Sequence, residues 1–420
     1  MRVLFVTPHF PEDFSQSVSG AFQRMRMWLD AFQALGADID VLFFRHSRVT
    51  TGLENAPAVA QRLDELWGIR CNVILCGRES VEHPDGFFAS YVQPALGLSR
   101  QSGFRSYIGK RQTEAFRHCL GRSPDIIFFH RLHATGPALS LSLGRARVFL
   151  DLDDVEHRKF AREVGQPPQW RFKPLLYMQV PALWWGERAA IVRSNRAFVC
   201  SEADRRYLRR MMGVRNVEVI PNAVAWIDDG PLAAEPNILF IGAYGYAPNV
   251  VAAEYLIREI WPGVARICPK ARLLIAGLRS ELIPSFQDPP DGVEFLGFVR
   301  DLNALYRRTR VLCCPIQSGG GTRIKILEAA SYGVPVVSTP LGAEGIELTP
   351  DEEIVLRKDA KGLAEACADL LVDDARARRM GALARERVRA LYSREAVVCR
   401  MKAIFGHEAA FEEGNSKLKS

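Results

Sequence analysis

A run of three glycines followed by two basic residues is the part of the sequence best suited to chemistry. Arg323 and Lys325 come directly after the glycine run 319–321, and an apolar segment, 311–315, precedes it. Glycine permits backbone paths, including positive φ, that bring N–H groups close to an anion. A helix N-terminus also attracts anions, whereas cations in its first turn oppose the helix dipole. Two cations at such a place indicate that the segment binds a diphosphate.

The residues after the glycines predict a helix that carries a further polar group. Thr322 stands where a helix N-cap is expected, and RIKILEAAS follows it. Glu328 lies three residues beyond Lys325, on a neighbouring part of the same helix face. A carboxylate one turn beyond a phosphate site can accept two hydrogen bonds from a ribose diol. The alternative, from these residues alone, is a glycine-rich surface loop beside a Lys325–Glu328 surface pair.

Histidines and aspartates follow two apolar segments in the N-terminal half. His130 and His133 end the run PDIIFFHRLH, and Asp153 and Asp154 end the run ARVFLDLDD. Ligands of open parallel sheets bind at the carboxyl ends of strands, and histidine suits proton transfer near neutral pH. Contact of one histidine with a bound substrate is therefore one interpretation, and a packed loop histidine is the other. The Asp-x-Asp pair formed by Asp151 and Asp153 ends a strand-like run far from the glycine run, so we predict no metal.

Apolar strand-like segments alternate with helix-like segments on both sides of a stretch rich in Asp, Gly, Pro and Ala, 223–236. The strand-like segments are RVLFVT, DIDVLFF, PDIIFFH, ARVFLDLDD, RAFVCS and VEVIPN before it, and NILFIGA, ARLLIAG, VEFLGFV, VLCCP and VPVVST after it. Helical periodicity follows several of them, for example from Phe22 to Leu35. Such alternation is typical of parallel sheets. We therefore predict an α/β fold of two Rossmann-like, doubly wound parallel-sheet domains.

Chain length, apolar runs and cysteine usage exclude several protein classes. With 420 residues the chain is too long for one ordinary core, and it has no apolar stretch long enough for a transmembrane helix. The N-terminal apolar run is too short for a signal peptide, so we expect a cytoplasmic protein. The nine cysteines are scattered without a Cys-x-x-Cys pair, which predicts reduced thiols rather than a zinc site.

Part of the net charge of +7 lies in residues 157–196. This stretch holds eight Lys or Arg residues, two Glu residues and three tryptophans. Cations and amphipathic rings both find partners in an anionic headgroup layer, so peripheral contact with the inner face of a membrane is one interpretation. A solvated basic face around a partly buried aromatic cluster is the other. The cations accompany no nucleic-acid motif, so we expect no nucleic-acid partner.

The segments taken in order resemble the family 4 retaining glycosyltransferases of GT-B fold, and most of all their bacterial polysaccharide-assembly branch. The stretch GGGTRIKILEAASYGVPVVSTPLGAEGI, 319–346, is similar to the family's donor-binding signature. It is preceded in the family's order by VEVIPNAV, NILFIGAYGYAPNVVAAEYL, PKARLLIAG and VEFLGFVRDLNALYRRTRVLCCP. The resemblance covers most of 196–346 and extends more loosely over the N-terminal half.

The resemblance implies two domains that face each other across a cleft. Residues 1–222 would form the acceptor-binding domain and residues 223–384 the donor-binding domain. In this fold the end of the chain crosses back to the first domain, and the apolar positions of the last helical stretch, about 374–404, fit that role. We assign residues 385–404 to the crossing helix and residues 405–420 to a flexible tail.

Carried over position by position, the resemblance assigns donor contacts. Glu328 would bind the ribose, and Arg323 and Lys325 would hold the diphosphate. Phe298 and Val299 would lie against the nucleobase. The further loop residues expected at the diphosphate are Gly319, Gly320, Gly321 and Thr322, with Ser19 and Gly20 approaching from the first domain.

The resemblance also assigns residues near the transferred sugar. Asp153 or Asp154 occupies the place where many members have a histidine that faces the sugar, and His157 is nearby in the sequence. The family's first glutamate lies eight positions before Glu328, where this chain has Gly320. The contact with the sugar must therefore differ from that of most members.

A second departure concerns the charge that neutralises the diphosphate. Many members carry an Arg and a Lys shortly after the first strand of the second domain, whereas the stretch AYGYAPN, 243–249, has no cation. Arg323 and Lys325 could supply that charge from the helix. We therefore expect Lys325→Ala to raise the donor KM or to lower kcat at least about tenfold, as for the loss of a charged hydrogen bond.

The resemblance implies that the protein moves a sugar from a UDP- or GDP-type donor to a glycan, lipid-linked or other acceptor with retention of configuration. No cofactor or metal is expected, because fixed donors can stabilise the leaving diphosphate. Front-side attack, with a diphosphate oxygen taking the acceptor's proton, is the mechanism of the family. Two alternatives remain: a GT-B sugar-nucleotide epimerase, and a non-catalytic GT-B scaffold that binds a sugar nucleotide or a partner protein.

Overall fold

The computed structural model describes residues 1–11, 14, 20–45, 55–78, 86–139, 141–166, 168–225, 233 and 235–417. The chain divides into two compact units, Met1–Pro221 with Val398–Ser420, and Asn222–Val397. Each unit is built on one sheet whose described strand pairs are all parallel. The prediction of two parallel-sheet α/β domains is therefore confirmed. The predicted linker, 223–236, lies mostly outside the described residues.

The first unit contains a seven-stranded sheet in the order β3-β2-β1-β4-β5-β6-β7. Its strands are β1 (Arg2–Thr7), β2 (Asp38–Arg45), β3 (Asn72–Gly77), β4 (Ile126–His130), β5 (Arg147–Asp153), β6 (Arg196–Val199) and β7 (Val217–Val219). Strand β3, Asn72–Gly77, is absent from the strand-like segments predicted from the sequence. The central strands are buried on both faces, as expected for a parallel sheet between helix layers.

The helices of the first unit cover both faces of its sheet. They are α1 (Gly20–Ala34), α2 (Ala56–Trp67), α3 (Ser102–Ile108), α4 (Lys110–Leu120), α5 (Glu156–Val164), α6 (Val180–Arg193) and α7 (Glu202–Met212). Short helical turns, Phe88–Val92, Gln93–Leu96, Leu98–Arg100, Leu132–Ala138 and Lys173–Gln179, connect them. Helix α1 buries Met25, Trp28 and Phe32, which follow the predicted helical spacing.

The second unit contains a six-stranded sheet in the order β10-β9-β8-β11-β12-β13. Its strands are β8 (Asn237–Ile241), β9 (Arg272–Ala276), β10 (Val293–Gly297), β11 (Val311–Cys314), β12 (Val336–Ser338) and β13 (Val355–Leu356). Its helices are α8 (Ala247–Tyr255), α9 (Trp261–Ile267), α10 (Leu302–Arg307), α11 (Ile324–Ser331), α12 (Ala360–Val372) and α13 (Asp374–Tyr392). A π-helical turn, Leu256–Ile260, joins α8 to α9.

Each sheet has one point at which the order of the strands reverses. The reversal lies between β1 and β4 in the first unit and between β8 and β11 in the second. At such a point the helices that follow the two neighbouring strands pack on opposite faces of the sheet. A crevice therefore opens at the carboxyl ends of these strands, and ligands of open α/β sheets bind there. The candidate site residues are therefore sought at these two places.

The last helical stretch is two helices rather than the single one expected. Helix α13 ends at Tyr392, Ser393 is extended, and α14 (Arg394–Lys417) follows. Val388 and Tyr392 belong to the core of the second unit, so the chain leaves that unit later than the expected residue 385.

The return of α14 to the first unit is confirmed by an aromatic contact. The Phe405 ring is 5% exposed and lies 5.1 Å from Phe149 and 5.4 Å from Phe32, measured between ring centres. The expected flexible tail, 405–420, thus begins with a buried residue inside a helix. The sequence does not predict this extension of the helix, because one aromatic residue among polar ones gives no clear periodicity.

Candidate active site

The glycine-rich loop of the second unit follows β11 at the reversal point of the sheet. Gly319 and Gly321 have φ of 94° and 70°, in the region that favours glycine. A Cβ atom at Gly319 would lie 2.5 Å from the hydroxyl of Tyr246, in the loop after β8. The Tyr246 side chain therefore lies against this position, and the positive φ of Gly319 further disfavours a residue with a side chain here.

Arg323 is folded back onto the glycine loop. Its guanidinium donates to the carbonyl oxygens of Gly320 and Gly321, and its Nη2 donates to the carbonyl of Ser318 at 3.3 Å. The guanidinium of Arg323, which was expected to contact a diphosphate, is therefore partly occupied by carbonyl oxygens of the loop. The side chain holds the loop in shape in addition to any contact with a ligand.

Thr322 does not cap helix α11 as predicted. Helix α11 begins at Ile324, so Arg323 is the N-cap residue, and its side chain makes no capping hydrogen bond. The Thr322 hydroxyl instead accepts a hydrogen bond from Nδ2 of Asn222 at 2.7 Å. This contact ties the glycine loop to the first residue of the second unit.

Lys325 points from the first turn of α11 toward the carboxyl end of β8. Its ammonium donates to Oδ1 of Asn249 at 3.0 Å and lies 4.2 Å from the centre of the Phe240 ring. A Cβ atom at Gly242 would come within 3.0 Å of the same nitrogen. Burial, with Arg323 nearby, lowers the pKa of Lys325 to about 8. The cation therefore lies beside the loop that lacks a cation of its own.

The Glu328 carboxylate is braced by aromatic side chains. Its Oε2 accepts a hydrogen bond from the hydroxyl of Tyr306 at 3.3 Å. The Tyr306 ring stacks on Tyr332 with 4.5 Å between ring centres, and the Tyr332 hydroxyl donates to Asn303 at 2.6 Å. Burial and the nearby carboxylate raise the pKa of Tyr306 well above its usual value, so the phenol remains a donor. Tyr306 is not predicted from the sequence as a site residue, since its spacing is that of a core residue.

Phe298 and Val299 follow β10 at the same edge of the second sheet. The ends of neighbouring strands are joined there, because the Gly277 amide after β9 donates to the Gly297 carbonyl at 2.7 Å. Both side chains are partly buried, and Val299 packs on the core. The expected nucleobase residues are therefore at the carboxyl edge, two strands away from β8.

His130 occupies the reversal point of the first sheet. Its Nδ1 lies 3.0 Å from the Thr7 hydroxyl, which also accepts from the amide of His9 at 3.1 Å. The other ring nitrogen, Nε2, is buried and has no hydrogen-bond partner within the described part of the chain. Burial, together with Arg131 and Arg24, holds the pKa of His130 well below its usual value. A neutral imidazole with one nitrogen available is thus present at this point.

His133 is a packed side chain rather than a second group beside His130. Its ring stacks on Phe104 of α3 with 4.2 Å between centres and a 16° interplanar angle. Burial lowers the pKa of His133. For this residue the interpretation as a packed loop histidine agrees with the contacts.

Asp151 is bound by Arg24, a buried residue of α1. Nε of Arg24 donates to Oδ2 at 2.7 Å, and Nη2 donates to Oδ1 at 2.5 Å. The remaining Arg24 nitrogen, Nη1, donates to the Ile220 carbonyl at 2.9 Å after β7. Both carboxylate oxygens of Asp151 are therefore engaged by one guanidinium.

Asp153 is held in a strained conformation by charged neighbours. Its φ is 60°, its carboxylate accepts from Arg131, and Oδ1 lies 3.0 Å from the Cys200 sulfur and 3.7 Å from Nε of Arg24. Burial by itself would raise the pKa of Asp153, but Arg131 and Arg24 lower it below its usual value. Asp153 is therefore a fixed anion whose two oxygens are both in use.

Asp154 is paired more weakly than Asp153. Its Oδ2 lies 3.5 Å from Nζ of Lys159, and its side chain is buried. Burial and the neighbouring Asp153 raise the pKa of Asp154 to about 6. Of the two aspartates that the resemblance places near the sugar, Asp154 is the one able to exchange a partner for a ligand hydroxyl.

His157 supports the start of α5. Its Nδ1 lies 2.5 Å from Oε2 of Glu187, and its Nε2 lies 2.8 Å from the Tyr207 hydroxyl. The other Glu187 oxygen accepts from the amide of Glu156 at 2.9 Å. His157 therefore joins α5, α6 and α7 and fixes the backbone that follows Asp154. Gly20 begins α1, whereas Ser19 lies outside the described residues.

Two kinds of site are not found within the described residues. No group of three or more His, Cys, Asp or Glu side chains there is arranged to hold a metal ion. Nor is any helix of this part long and apolar enough to cross a membrane.

The fold and these two edges define a class of protein. The chain has two Rossmann-like parallel-sheet domains. One carries a glycine loop and a partly buried lysine at its reversal point, and the other carries a histidine and aspartates there. Residues 235–373 match the family model "Glycosyl transferases group 1", and residues 19–223 match the "Glycosyl transferase 4-like domain". The two matches cover most of the chain, which therefore belongs to this family of glycosyltransferases.

Individual relatives agree with this assignment. A phosphatidyl-myo-inositol mannosyltransferase of Mycobacterium leprae is 31% identical over 202 residues, which cover 45% of this chain and 53%, about half, of the relative. Sucrose-phosphate synthase of Thermosynechococcus elongatus is 18% identical, with a TM-score of 0.72 over 97% of this chain and 99% of that one. The Anabaena protein HepE, in complex with UDP and glucose, is 13% identical, with a TM-score of 0.66 over 97% and 100%. The structural neighbours show that the fold is GT-B.

Proposed function

We propose that this chain is a retaining, metal-independent glycosyltransferase that moves a sugar from a nucleoside-diphosphate sugar to a glycan or lipid-linked acceptor in cell-surface polysaccharide assembly. One observation carries the proposal. The partly buried Lys325 ammonium lies between the glycine loop and the end of β8, at the reversal point of the second sheet. A cation kept there despite the cost of burial is best explained by an anionic ligand.

The donor fits the second unit in the following way. The diphosphate would lie on the glycine loop and the N-terminus of α11, with Lys325 on one side. Arg323 would act mainly by fixing the loop carbonyls, so that the loop does not have to rearrange when the ligand binds. Glu328, held by the hydroxyl of Tyr306, would accept the ribose hydroxyls. Phe298 and Val299 would pack on the base.

The acceptor and the transferred sugar would meet polar groups of the first unit. His130 offers one unpartnered nitrogen, and Asp154 has a raised pKa and a weak ion pair. Either can bond a sugar hydroxyl without breaking the ion pairs of Asp151 and Asp153. We therefore assign His130 and Asp154 to the sugar or the acceptor, and Asp153 and Arg24 to holding the edge of the sheet.

Departure of the nucleoside diphosphate concentrates negative charge on the leaving oxygen. Lys325 and the backbone donors around α11 would stabilise this charge, which is the role a divalent metal has in other enzymes. The leaving oxygen would take the proton of the attacking hydroxyl on the same face of the sugar, so that configuration is retained. The UDP in the HepE complex is consistent with a nucleoside diphosphate in this fold.

A thermal-shift screen with UDP-, GDP- and ADP-sugars, followed by a transfer assay with the donor found, tests this function. A ligand at about 100 times its Kd stabilises the folded state by about 2.7 kcal/mol. Transfer of labelled sugar to an acceptor in the presence of a metal chelator, with the anomeric configuration of the donor retained, is expected. Absence of stabilisation by all three nucleotide classes would contradict the proposal.

A non-catalytic scaffold is the second candidate, and Gly320 favours it. In the resemblance on which the site residues rest, Gly320 replaces a glutamate that faces the sugar. Stabilisation by a sugar nucleotide without any transfer to an acceptor would support the scaffold. Change of the donor sugar in the absence of an acceptor would indicate an epimerase instead.

A further inference from the structure

Exposed aromatic side chains are concentrated in two segments of the first unit. Among the described residues, eight large apolar side chains that are at least 42% exposed lie in 86–96 and 170–185: Phe87, Phe88, Leu96, Trp170, Phe172, Tyr177, Met178 and Trp185. Phe88, Leu96 and Trp185 are each 62% exposed. Large apolar side chains grouped on a surface mark a site of interaction. We call the surface formed by these two segments the aromatic patch.

The two segments form one surface although they are far apart in the sequence. The Phe87 ring lies 5.6 Å from Phe172 and 5.2 Å from Tyr91, measured between ring centres. The Trp170 indole nitrogen donates to the Tyr91 hydroxyl at 3.2 Å. Lys173 lies 5.1 Å from the centre of the Trp170 ring and donates to the Pro168 carbonyl at 2.9 Å. The patch is therefore ordered by its own contacts.

The charges of the patch all have one sign. The described residues 86–100 and 168–186 contain no carboxylate, and their exposed cations are Arg100 and Arg171, whereas Lys173 is buried. The Arg171 guanidinium lies 5.3 Å from the Phe172 ring centre. Exposed rings beside exposed cations match an anionic lipid surface, where rings enter the interfacial layer and cations meet the headgroups. A protein partner would instead be expected to meet mixed charges.

The aromatic patch is connected to the edge of the sheet where the acceptor would bind. Segment 86–108 follows β3, and its helix α3 packs on the turn after β4 through the stacked rings of Phe104 and His133. Segment 168–186 follows β5 and α5. Leu98 fills the space beside Gly186, where a Cβ atom would come within 2.8 Å. Both segments thus originate from the carboxyl edge that also carries His130 and Asp154.

We propose that the aromatic patch inserts into the interfacial layer of an anionic bilayer and that the acceptor is consequently membrane-anchored. The inference rests on the proposed glycosyl transfer and specifies its acceptor class. Within the basic stretch 157–196 it assigns the membrane contact to residues 170–185, and it adds the segment 86–96. The bilayer then brings a lipid-linked acceptor and the carboxyl edge of the first sheet to the same surface.

Co-sedimentation of the full chain with phosphatidylcholine vesicles, with and without phosphatidylglycerol, tests this inference. The wild type is expected to bind the anionic vesicles, and Phe87→Ser/Phe88→Ser should weaken binding at least about tenfold, since each ring contributes about a factor of ten or more on burial. Arg171→Glu should weaken binding to anionic vesicles only. Val372→Ser/Leu282→Ser, at 73% and 44% exposed sites of the second unit, is the matched control and should bind as the wild type does.

Three outcomes would overturn the inference: no vesicle binding by the wild type, equal binding by the patch variant and the control, or loss of a dimer in light scattering instead of loss of vesicle binding. The last would mean that a second copy covers the patch. The thermal shift produced by the sugar-nucleotide donor should be the same in the patch variant and the wild type. If only the membrane inference is wrong, a sugar nucleotide still raises the melting temperature of the protein. If the proposed function is wrong, no sugar nucleotide does so.

Discussion

Replacing Lys325 by methionine removes the ammonium group and keeps the length of the side chain. In the structure this group donates to Asn249 at 3.0 Å and stands over the Phe240 ring. A hydrogen bond to a charged group contributes about 1.5–3 kcal/mol. That range corresponds to about a tenfold to 150-fold loss of affinity for the nucleoside diphosphate. Isothermal titration calorimetry with the nucleotide found in the thermal-shift screen measures it.

The pH dependence follows from the lowered pKa of Lys325. With a pKa of about 8, the side chain is mostly protonated at pH 7 and mostly neutral at pH 9. Affinity of the wild type should therefore fall across this interval, while that of Lys325→Met should stay flat there. Lys361→Met, at an 86% exposed lysine of α12, is the matched control.

The free energy of unfolding of the ligand-free wild type should rise with pH, whereas its affinity for the nucleotide should fall. The folded pKa of Lys325, about 8, lies below the unfolded value of 10.5, so between these pH values the unfolded chain holds a proton that the folded chain has lost. Stability therefore rises with pH across that window, and the cost of the buried charge is fully present below pH 8. Lys325→Met should melt at a higher temperature than the wild type at pH 7, with the difference shrinking toward pH 10.

An affinity of Lys325→Met for the nucleotide within twofold of the wild-type value at pH 7 would refute the role assigned to Lys325.

Three further variants test other parts of the site and fold. Glu328→Ala should abolish the preference for a ribonucleoside diphosphate over its 2′-deoxy analogue, in competition binding; a retained preference would place the ribose elsewhere. Asp151→Asn leaves Arg24 partly unpaired and should lower the free energy of unfolding by about 3–5 kcal/mol in urea titrations; a loss below about 1 kcal/mol would mean that the pair is solvated. Phe405→Ala should lower the free energy of unfolding by about 3–5 kcal/mol. The control Phe88→Ala, at an exposed site, should lower it by less than about 0.5 kcal/mol. Equal losses would show that α14 does not pack on the first unit.

Fold class followed from the sequence because buried parallel strands are continuous apolar runs. Eleven of the described strands coincide with apolar runs predicted as strands, whereas β3 and the two-residue β13 were not predicted. The return of α14 also had a signal, in the spacing of Val397 and Met401, both of which are buried. The break at Ser393 had none, because no proline or glycine marks it.

For the proposed site, the sequence indicated candidate residues but not what they contact. Gly319, Arg323, Lys325 and Glu328 are candidates by their types and spacing, since glycines, cations and a carboxylate at a helix start have few structural reasons to occur together. The contacts of Lys325 with Asn249 and of Thr322 with Asn222 join residues far apart in the sequence, so the sequence does not predict them. The carbonyls that Arg323 binds are close to it in the sequence, but only the conformation of the loop turns the side chain toward them.

The sequence by itself determined the family, the α/β fold and the glycine-rich helix start, because local spacing and apolar runs encode these features directly. Only the tertiary structure decided that Lys325 reaches the end of β8, that Asp154 rather than Asp153 remains weakly paired, and that segments 86–96 and 168–185 form one exposed surface. Each of these depends on which strands lie side by side. Strand order is set by packing over the whole sheet, and no short segment of the chain contains it.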